Sequence, residues 1–157
     1  MSKLKLIIGS FFYGGFLPNA PGTWGSFFAL FFIYFIGINF PVWGIPIFVI
    51  VTSLLTLWVS KECEKVWGED PSPLIMDEFA GQGMAFIGIS LAFPALNVFL
   101  LLVLGFLLFR FFDIRKPLGV NKLQELPGGF GILVDDLLAG FYAWISLEIL
   151  IFLIYLI

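Results

Sequence analysis

The sequence contains no histidine and a single cysteine, Cys63, among its 157 residues. One cysteine allows no intramolecular disulfide and no cysteine-based zinc site. The absence of imidazole also removes the ligands that zinc, copper and nickel sites prefer. Any cation bound by this chain is therefore expected to be a hard one, such as magnesium or manganese, held by oxygen atoms.

Charge is also scarce. Only 12% of the residues are charged and 61% are hydrophobic, whereas about a quarter of an ordinary soluble domain is charged. The net charge of -3, without any basic run, gives no indication of a nucleic-acid partner, and none is expected. Apolar stretches close to the roughly 20 residues that cross a bilayer recur along the chain. The composition predicts an all-α integral membrane protein with the lipid bilayer as its partner and residues 1–157 as a single domain.

The order of apolar and polar stretches predicts a compact bundle of about five transmembrane segments. Residues 6–17 are short and interrupted by glycines, which favours an N-terminal interfacial or re-entrant segment. A turn at residues 18–25 and a polar segment at residues 61–73 separate the apolar runs. Helices are predicted at about residues 26–40, 42–60 and 133–157.

Residues 74–112 are almost wholly apolar and form either one long span or a hairpin that turns at Pro94 to Asn97. A single span would separate Arg110 and the cations after it from Lys61, against the tendency of Lys and Arg to stay cytoplasmic. A hairpin puts all eight Lys and Arg residues on one side. We therefore predict a hairpin, a cytoplasmic N-terminus and an external C-terminus.

With this topology, every Asp and Glu except Glu148 lies near the cytoplasmic face. Acidic residues at the edge of apolar helices cost free energy unless they are paired, hydrated or bound to a cation. The glutamates in polar company are interpreted as solvated helix ends. Glu148 is interpreted as a helix-packing or oligomer-contact residue, which leaves a homo-oligomer open. Five carboxylates pressed by apolar sequence are candidate metal ligands and catalytic groups: Asp77, Glu78, Asp113, Asp135 and Asp136.

Carboxylates from several segments suit magnesium or manganese, usually together with water and phosphate oxygens. Arg110 and Asp113 share a helix face, and Lys116 follows one turn later. Arg110, Arg115 and Lys116 would suit a phosphate ester. The alternative is that these cations only anchor a helix end at the membrane surface.

Two glycine-rich turns precede predicted helices, at residues 21–26 and 128–131. Backbone N–H groups at the two helix N-termini could face an anion. Thr23, Ser26, Gly128 and Gly129 are therefore candidate substrate-binding residues. The alternative is that the glycines only permit turns.

Several phosphatase mechanisms are excluded by the residues. Without histidine there is no phosphohistidine intermediate, and Cys63 lacks an arginine six residues later. The sequence Asp77-Glu78-Phe79 does not supply an Asp-x-Asp motif. A water activated by a cation remains, with Lys116 stabilising the phosphoryl oxygens and a carboxylate as general base. An aspartate nucleophile stays open.

Four segments together resemble the motifs of the phosphatidylglycerophosphatase A family, in order and spacing, along nearly the whole chain. They are GFLPNAPGTWGS at residues 15–26, DEFAG at 77–81, RFFDIRKP at 110–117 and GGFGILVDDLLAG at 128–140.

The resemblance implies a multi-pass enzyme of the bacterial inner membrane, with its active site at the cytoplasmic face. Its expected reaction is magnesium-dependent hydrolysis of phosphatidylglycerophosphate to phosphatidylglycerol and inorganic phosphate. One departure is Leu118-Gly119, where the family usually has an aromatic residue and proline. Asp70 matches an aspartate that precedes the first acidic motif. The family's acidic and basic motif positions correspond to Asp77, Glu78, Asp113, Lys116, Asp135 and Asp136.

Two rival functions remain open. A phosphatidyltransferase also uses acidic residues at a membrane face, but its Asp-Gly-x-x-Ala-Arg motif is absent. A small transporter or magnesium channel would need polar residues along its spans, and these spans carry few. The enzyme is favoured.

Overall fold

The computed structural model describes residues 2–91, 97–117, 119–123 and 126–156. All regular secondary structure in these ranges is helical, in agreement with the predicted fold class. The elements are α1 (Ser2–Gly9), a 3-10 turn (Gly14–Phe16), α2 (Pro21–Asn39), α3 (Gly44–Trp67), α4 (Met76–Met84), α5 (Val98–Arg115), α6 (Val120–Leu123) and α7 (Gly129–Tyr155).

The short helix α4 lies inside the bundle and packs against α2, α3, α5 and α7. Every residue of α4 from Met76 to Gly83 is buried. The ring of Phe79 lies 4.8 Å from the ring centroid of Phe11 and 5.9 Å from that of Phe32. The core of the protein is therefore built around a helix whose first turn carries two acidic residues.

Glycines allow α4 and α7 to approach until their backbones touch. A Cβ atom added to Gly140 would overlap the backbone oxygen of Gly81, and one added to Gly81 would lie 2.8 Å from the backbone oxygen of Asp136. Small residues at such crossings are typical of helices packed within membranes, where close backbone approach supplies much of the attraction. This contact fixes the position of α4 relative to the acidic residues of α7.

The outer surface is apolar, as expected for a chain whose solvent is lipid. Phe31 is 62% exposed, Phe35 66% and Leu54 60%. In the described part of the chain, three helices are long and apolar enough to cross a membrane: α2, α3 and α7. The predicted membrane protein is confirmed, but the count of five spans is not. A helix of nine residues such as α4 is only about 14 Å long, and it cannot cross a hydrocarbon core of about 30 Å.

Several predicted helix boundaries are wrong. Helix α2 begins at Pro21 rather than at residue 26, because proline is pre-organised for the first helical turn. Helix α3 continues to Trp67 rather than ending at residue 60, because lysine and glutamate in this segment are good helix formers. Helix α7 begins at Gly129 rather than at residue 133; residue 157, its predicted end, lies outside the described residues.

The segment predicted as a hairpin, residues 74–112, contains two helices in the structure, α4 and most of α5. Residues 94–96 of its predicted turn lie outside the described residues. Asn97 caps α5, since its Oδ1 accepts hydrogen bonds from the backbone N–H groups of Phe99 at 2.9 Å and Leu100 at 3.4 Å. Helix α1 has eight residues and is too short to span; its interfacial or re-entrant placement stays a prediction.

Five helix ends meet at one end of the bundle. Ser26 near the start of α2 and Arg110 near the end of α5 both contact Glu78 in the first turn of α4. The start of α7 packs closely on α3 near its C-terminal end. A Cβ atom added to Gly129 would overlap the Ser60 hydroxyl. The charged helix ends of the sequence are thereby brought together.

We expect the substitution Gly140→Ala to lower the stability of the bundle by about 1–3 kcal/mol, the usual cost of forcing extra atoms into a packed interior. The added methyl group meets backbone atoms of α4, which cannot rotate away. Thermal unfolding in detergent measures the loss. Ile149→Ala on the exposed face of α7 is the control, and an equal effect of the two substitutions would contradict the α4–α7 contact.

Candidate functional site

A cavity of about 200 Å³ opens at the end of the bundle where the helix ends meet. It is lined by residues of α2, α4, α5 and α7 and of the segment that precedes α4. All five predicted carboxylates lie in its wall, together with two cations: Asp77, Glu78, Asp113, Asp135, Asp136, Arg110 and Lys116. The structure therefore brings together acidic residues that are up to 59 positions apart in the sequence.

Arg110 joins two of these carboxylates. Its Nη1 lies 2.6 Å from Glu78 Oε2 and 2.7 Å from Asp113 Oδ2. The Ser26 hydroxyl donates to Glu78 Oε2 at 3.0 Å and accepts from Arg110 Nη1 at 3.3 Å. Such charge-assisted bonds are stronger than neutral ones, most of all where water is excluded. Residues of α2, α4 and α5 are thus tied together by one network.

Lys116 forms the second ion pair of the cavity. It ends α5 in a left-handed conformation, with φ of 43°, and its Nζ donates to Asp135 Oδ2 at 2.6 Å. Burial by itself would lower the pKa of Lys116, but the hydrogen bond and the negative charge of Asp135 outweigh it and raise that pKa above its ordinary value. The ammonium group stays charged at neutral pH.

Three carboxylates are close enough to share a cation. One oxygen each of Glu78, Asp113 and Asp136 lies within 4.8 Å of the other two, and all three residues are buried. An oxygen-only ligand set of this kind suits a hard divalent cation.

Two buried oxygen atoms of the cavity are left without hydrogen bonds among the described residues, Asp136 Oδ2 and Asp77 Oδ1. Uncompensated carboxylates are costly away from water. With Asp70, six carboxylates line the cavity together with Arg110 and Lys116, which leaves an excess of four negative charges when all are ionised. The residues therefore fit a divalent cation, which would offset charge that the protein's own cations do not.

The first of the two predicted glycine-rich turns places Gly22 against the Glu78 carboxylate. A Cβ atom on Gly22 would overlap Glu78 Oε1, so a larger residue at the start of α2 would displace this carboxylate. Thr23, a predicted substrate-binding residue, is half-buried and is not among the described residues lining the acidic cavity. Ser26 does join the network, through Glu78.

The second glycine turn lies beside the acidic cavity. Gly128 lines a larger cavity of about 710 Å³, which shares Asp70 and Ile132 with the acidic one. Lys61 and Lys65 also face this second cavity. Gly129 and Arg115, both predicted to bind substrate, are absent from the described lining of either cavity.

One buried residue near this site and one pairing within it were missed from the sequence. Gln82 is fully buried one helical turn beyond Glu78, and neither polar atom of its side chain has a hydrogen-bond partner in the described ranges. The available signal in the sequence was an amide side chain that lies between two glycines in an apolar segment. The pairing of Glu78 with Arg110 carries no local signal, because the two residues are 32 positions apart. Of the departure at positions 118 and 119, Leu118 lies outside the described residues, and Gly119 has a φ of +92°.

The chain is similar in sequence to proteins that are named as phosphatases. The family model described as phosphatidylglycerophosphatase A matches residues 7–151. A protein of Bacteroides thetaiotaomicron named putative phosphatidylinositol-3-phosphatase is 36% identical over 154 residues, which cover 94% of each chain. Phosphatidylglycerophosphatase A of Haemophilus influenzae is 38% identical over 138 residues, covering 84% of this chain and 79% of that one. The protein of that name from Escherichia coli is 30% identical over 132 residues, covering 82% and 73%. No solved structure matches this chain.

We expect Asp136→Asn to weaken binding of Mn²⁺ by at least about tenfold, since even groups that only support a metal ligand cause losses of this size. Binding is measured by the electron paramagnetic resonance signal of free Mn²⁺ with the full chain in detergent. Glu148→Gln, which removes an acid from the same helix outside the acidic cavity, is the control. Equal affinities of the two variants would exclude Asp136 as a ligand.

Proposed function

The chain belongs to the phosphatidylglycerophosphatase A family, and on that premise we propose that it hydrolyses the terminal phosphate monoester of phosphatidylglycerophosphate. The products are phosphatidylglycerol and inorganic phosphate. The observation that carries the proposal is the convergence of five carboxylates, Arg110 and Lys116 on one cavity at the helix ends.

Magnesium is the proposed cation, with Glu78, Asp113 and Asp136 as its ligands. This assignment is supported by the spacing of their oxygen atoms and by the lack of a hydrogen bond at Asp136 Oδ2. When bound, the cation would neutralise phosphate charge and make water more acidic. The remaining groups of the cavity are then available to bind and orient the substrate.

Lys116 is assigned to the oxygens of the reacting phosphate. Its ammonium group is a charged, compact donor at the cavity wall, suited to the charge that develops on these oxygens in the transition state. Asp135 is its positioning residue, because the 2.6 Å ion pair holds the ammonium group from the opposite side.

Asp77 is assigned as the general base. Its Oδ1 is buried in the cavity wall and accepts no hydrogen bond from the described residues, so it can take a proton from an attacking water. Asp135 is less suited, since its Oδ2 already accepts from Lys116 and its Oδ1 from the backbone N–H of Asp136. A base must lie within hydrogen-bond reach of the proton that it removes.

A second substrate is suggested by the Bacteroides relative, whose name places the phosphate on an inositol lipid. Both substrates carry a phosphate monoester on a polyol headgroup, so the chemistry at the phosphorus is the same. The cavity of about 710 Å³ beside the acidic one has room for either headgroup. Relative rates on the two lipids would decide between them.

The channel alternative is not supported by the spans. Thr52 and Thr56, two of the few polar residues within α3, donate their hydroxyl hydrogens to carbonyl oxygens of their own helix. Such hydroxyls are internally satisfied and offer an ion no continuous polar path.

The proposed location is the bacterial cytoplasmic membrane, with the acidic cavity facing the cytoplasm. Lys61 and Lys65 of α3, and Arg110 and Lys116 at the end of α5, line the two adjoining cavities at this end of the bundle, and Lys and Arg favour the cytoplasmic side.

Purified protein is expected to release inorganic phosphate from phosphatidylglycerophosphate in mixed micelles when Mg²⁺ is present. Chelation should abolish release, and Asp136→Asn should lower the rate by at least about a hundredfold, as for other groups that stabilise transition-state charge. Glu148→Gln serves as the matched control. Full turnover after chelation would refute the requirement for a cation. Full turnover of Asp136→Asn would refute the assignment of Asp136 to the cation site.

Orientation is tested with a membrane-impermeant maleimide. The native Cys63 is fully buried and gives the background. A cysteine at Trp43, which is 71% exposed between α2 and α3, should react in intact cells. A cysteine at Lys122, exposed on α6, should react only after the membrane is opened. The reverse pattern would place the cavity outside.

A further inference from the structure

Arg110 is bound to two of the carboxylates that a cation would need. Its Nη1 bridges Glu78 and Asp113 at 2.6 and 2.7 Å, and these are two of the three residues able to hold a cation together. A guanidinium ion and a divalent cation repel each other strongly at such separations in a site of low dielectric. Arg110 and the cation are therefore competitors for the same carboxylates.

We propose that the divalent cation displaces Arg110 from Glu78 and Asp113, and that the released guanidinium group then binds the phosphate of the substrate. This inference rests on the proposed function and adds the order in which the cation and the substrate phosphate bind. The cation binds first, and it converts Arg110 from a partner of the carboxylates into a ligand of the phosphate.

The contacts of Arg110 are suited to such a change. All its described polar contacts, to Glu78, Asp113 and Ser26, are made through one nitrogen, Nη1. Its Nε is buried and has no hydrogen-bond partner among the described residues. The planar fork that arginine offers to a phosphate, formed by Nε and a terminal nitrogen, is thus not used by the carboxylates. A rotation of the side chain into the cavity would satisfy Nε.

Asp136 is the member of the three-carboxylate set that Arg110 does not contact. Its Oδ2 is buried without a partner, so the three-carboxylate set is satisfied by Arg110 on only two of its members. A cation can satisfy all three at once. The phosphate in turn offers Arg110 a new anionic partner within the same cavity, so that no charge is left uncompensated.

The first test measures Mn²⁺ affinity of the full chain in detergent by electron paramagnetic resonance. Arg110→Gln removes the competitor and should bind Mn²⁺ about tenfold more tightly, the factor that corresponds to one lost charge-assisted bond. Arg115→Gln removes the same charge from the exposed end of the same helix and should change the affinity far less. If Arg110 instead only holds the carboxylates in place, its loss would weaken Mn²⁺ binding, and the inference would be overturned.

The second test needs no variant of Arg110. Arg110 and Arg115 are the two arginines of the sequence, so arginine labelled with ¹⁵N gives two sets of side-chain signals, which Arg115→Gln assigns. Exchange of the Arg110 N–H hydrogens with water should speed up when Mg²⁺ is added and slow again when inorganic phosphate follows. Exchange that is unchanged at saturating Mg²⁺ would overturn displacement.

The two proposals fail in different ways. If wild-type protein binds no Mn²⁺, the cation site and the displacement fall together. If wild-type protein binds Mn²⁺ and releases lipid phosphate, but Arg110→Gln binds Mn²⁺ no more tightly, only the displacement is overturned. Tighter Mn²⁺ binding by Arg110→Gln, together with exchange of the wild-type Arg110 N–H hydrogens that speeds up with Mg²⁺ and slows again with phosphate, would support it.

Discussion

The burial of acidic side chains at the start of α4 is the constraint on which the rest of the structure depends. Asp77 and Glu78 lie in the first turn of a helix whose residues are almost all buried, and a buried carboxylate is costly unless it is compensated. The N-terminus of α4 offers part of the compensation through its backbone dipole. Arg110 and Ser26 supply more, through direct bonds to Glu78. The ends of α2 and α5 are held where they are because these contacts require it.

The same constraint accounts for the glycines around the site. Gly22 leaves room for the Glu78 carboxylate at the start of α2, and Gly140 leaves room for the backbone of α4 against α7. One serves the electrostatics of the cavity and the other serves packing. Both act by removing a side chain where two elements must approach more closely than a Cβ atom allows.

Most of the residues that line the cavity could be predicted from the sequence, because ionisable residues at the edges of apolar segments are few and are usually functional. The spacing of Arg110 and Asp113 placed them on one helix face, and the structure confirms this with a 2.7 Å ion pair. The length of α4 could not be predicted. Apolar composition from residue 74 onward indicates a span, but glycines and two acids make this segment a short buried helix. Nor could the bond between Glu78 and Arg110 be predicted, since pairings across the bundle depend on how the helices cross.

The shortness of α4 also determines how a lipid would meet the enzyme. Because α4 has only about two and a half turns, its acids do not lie along a spanning helix but line a cavity where the helix ends meet, and a headgroup could reach them while its acyl chains stay in the membrane. Encounter then occurs by lateral diffusion within a two-dimensional film. For such a protein the governing quantity is the mole fraction of substrate among its neighbouring lipids, and dilution by inert lipid slows turnover even when the bulk amount is constant.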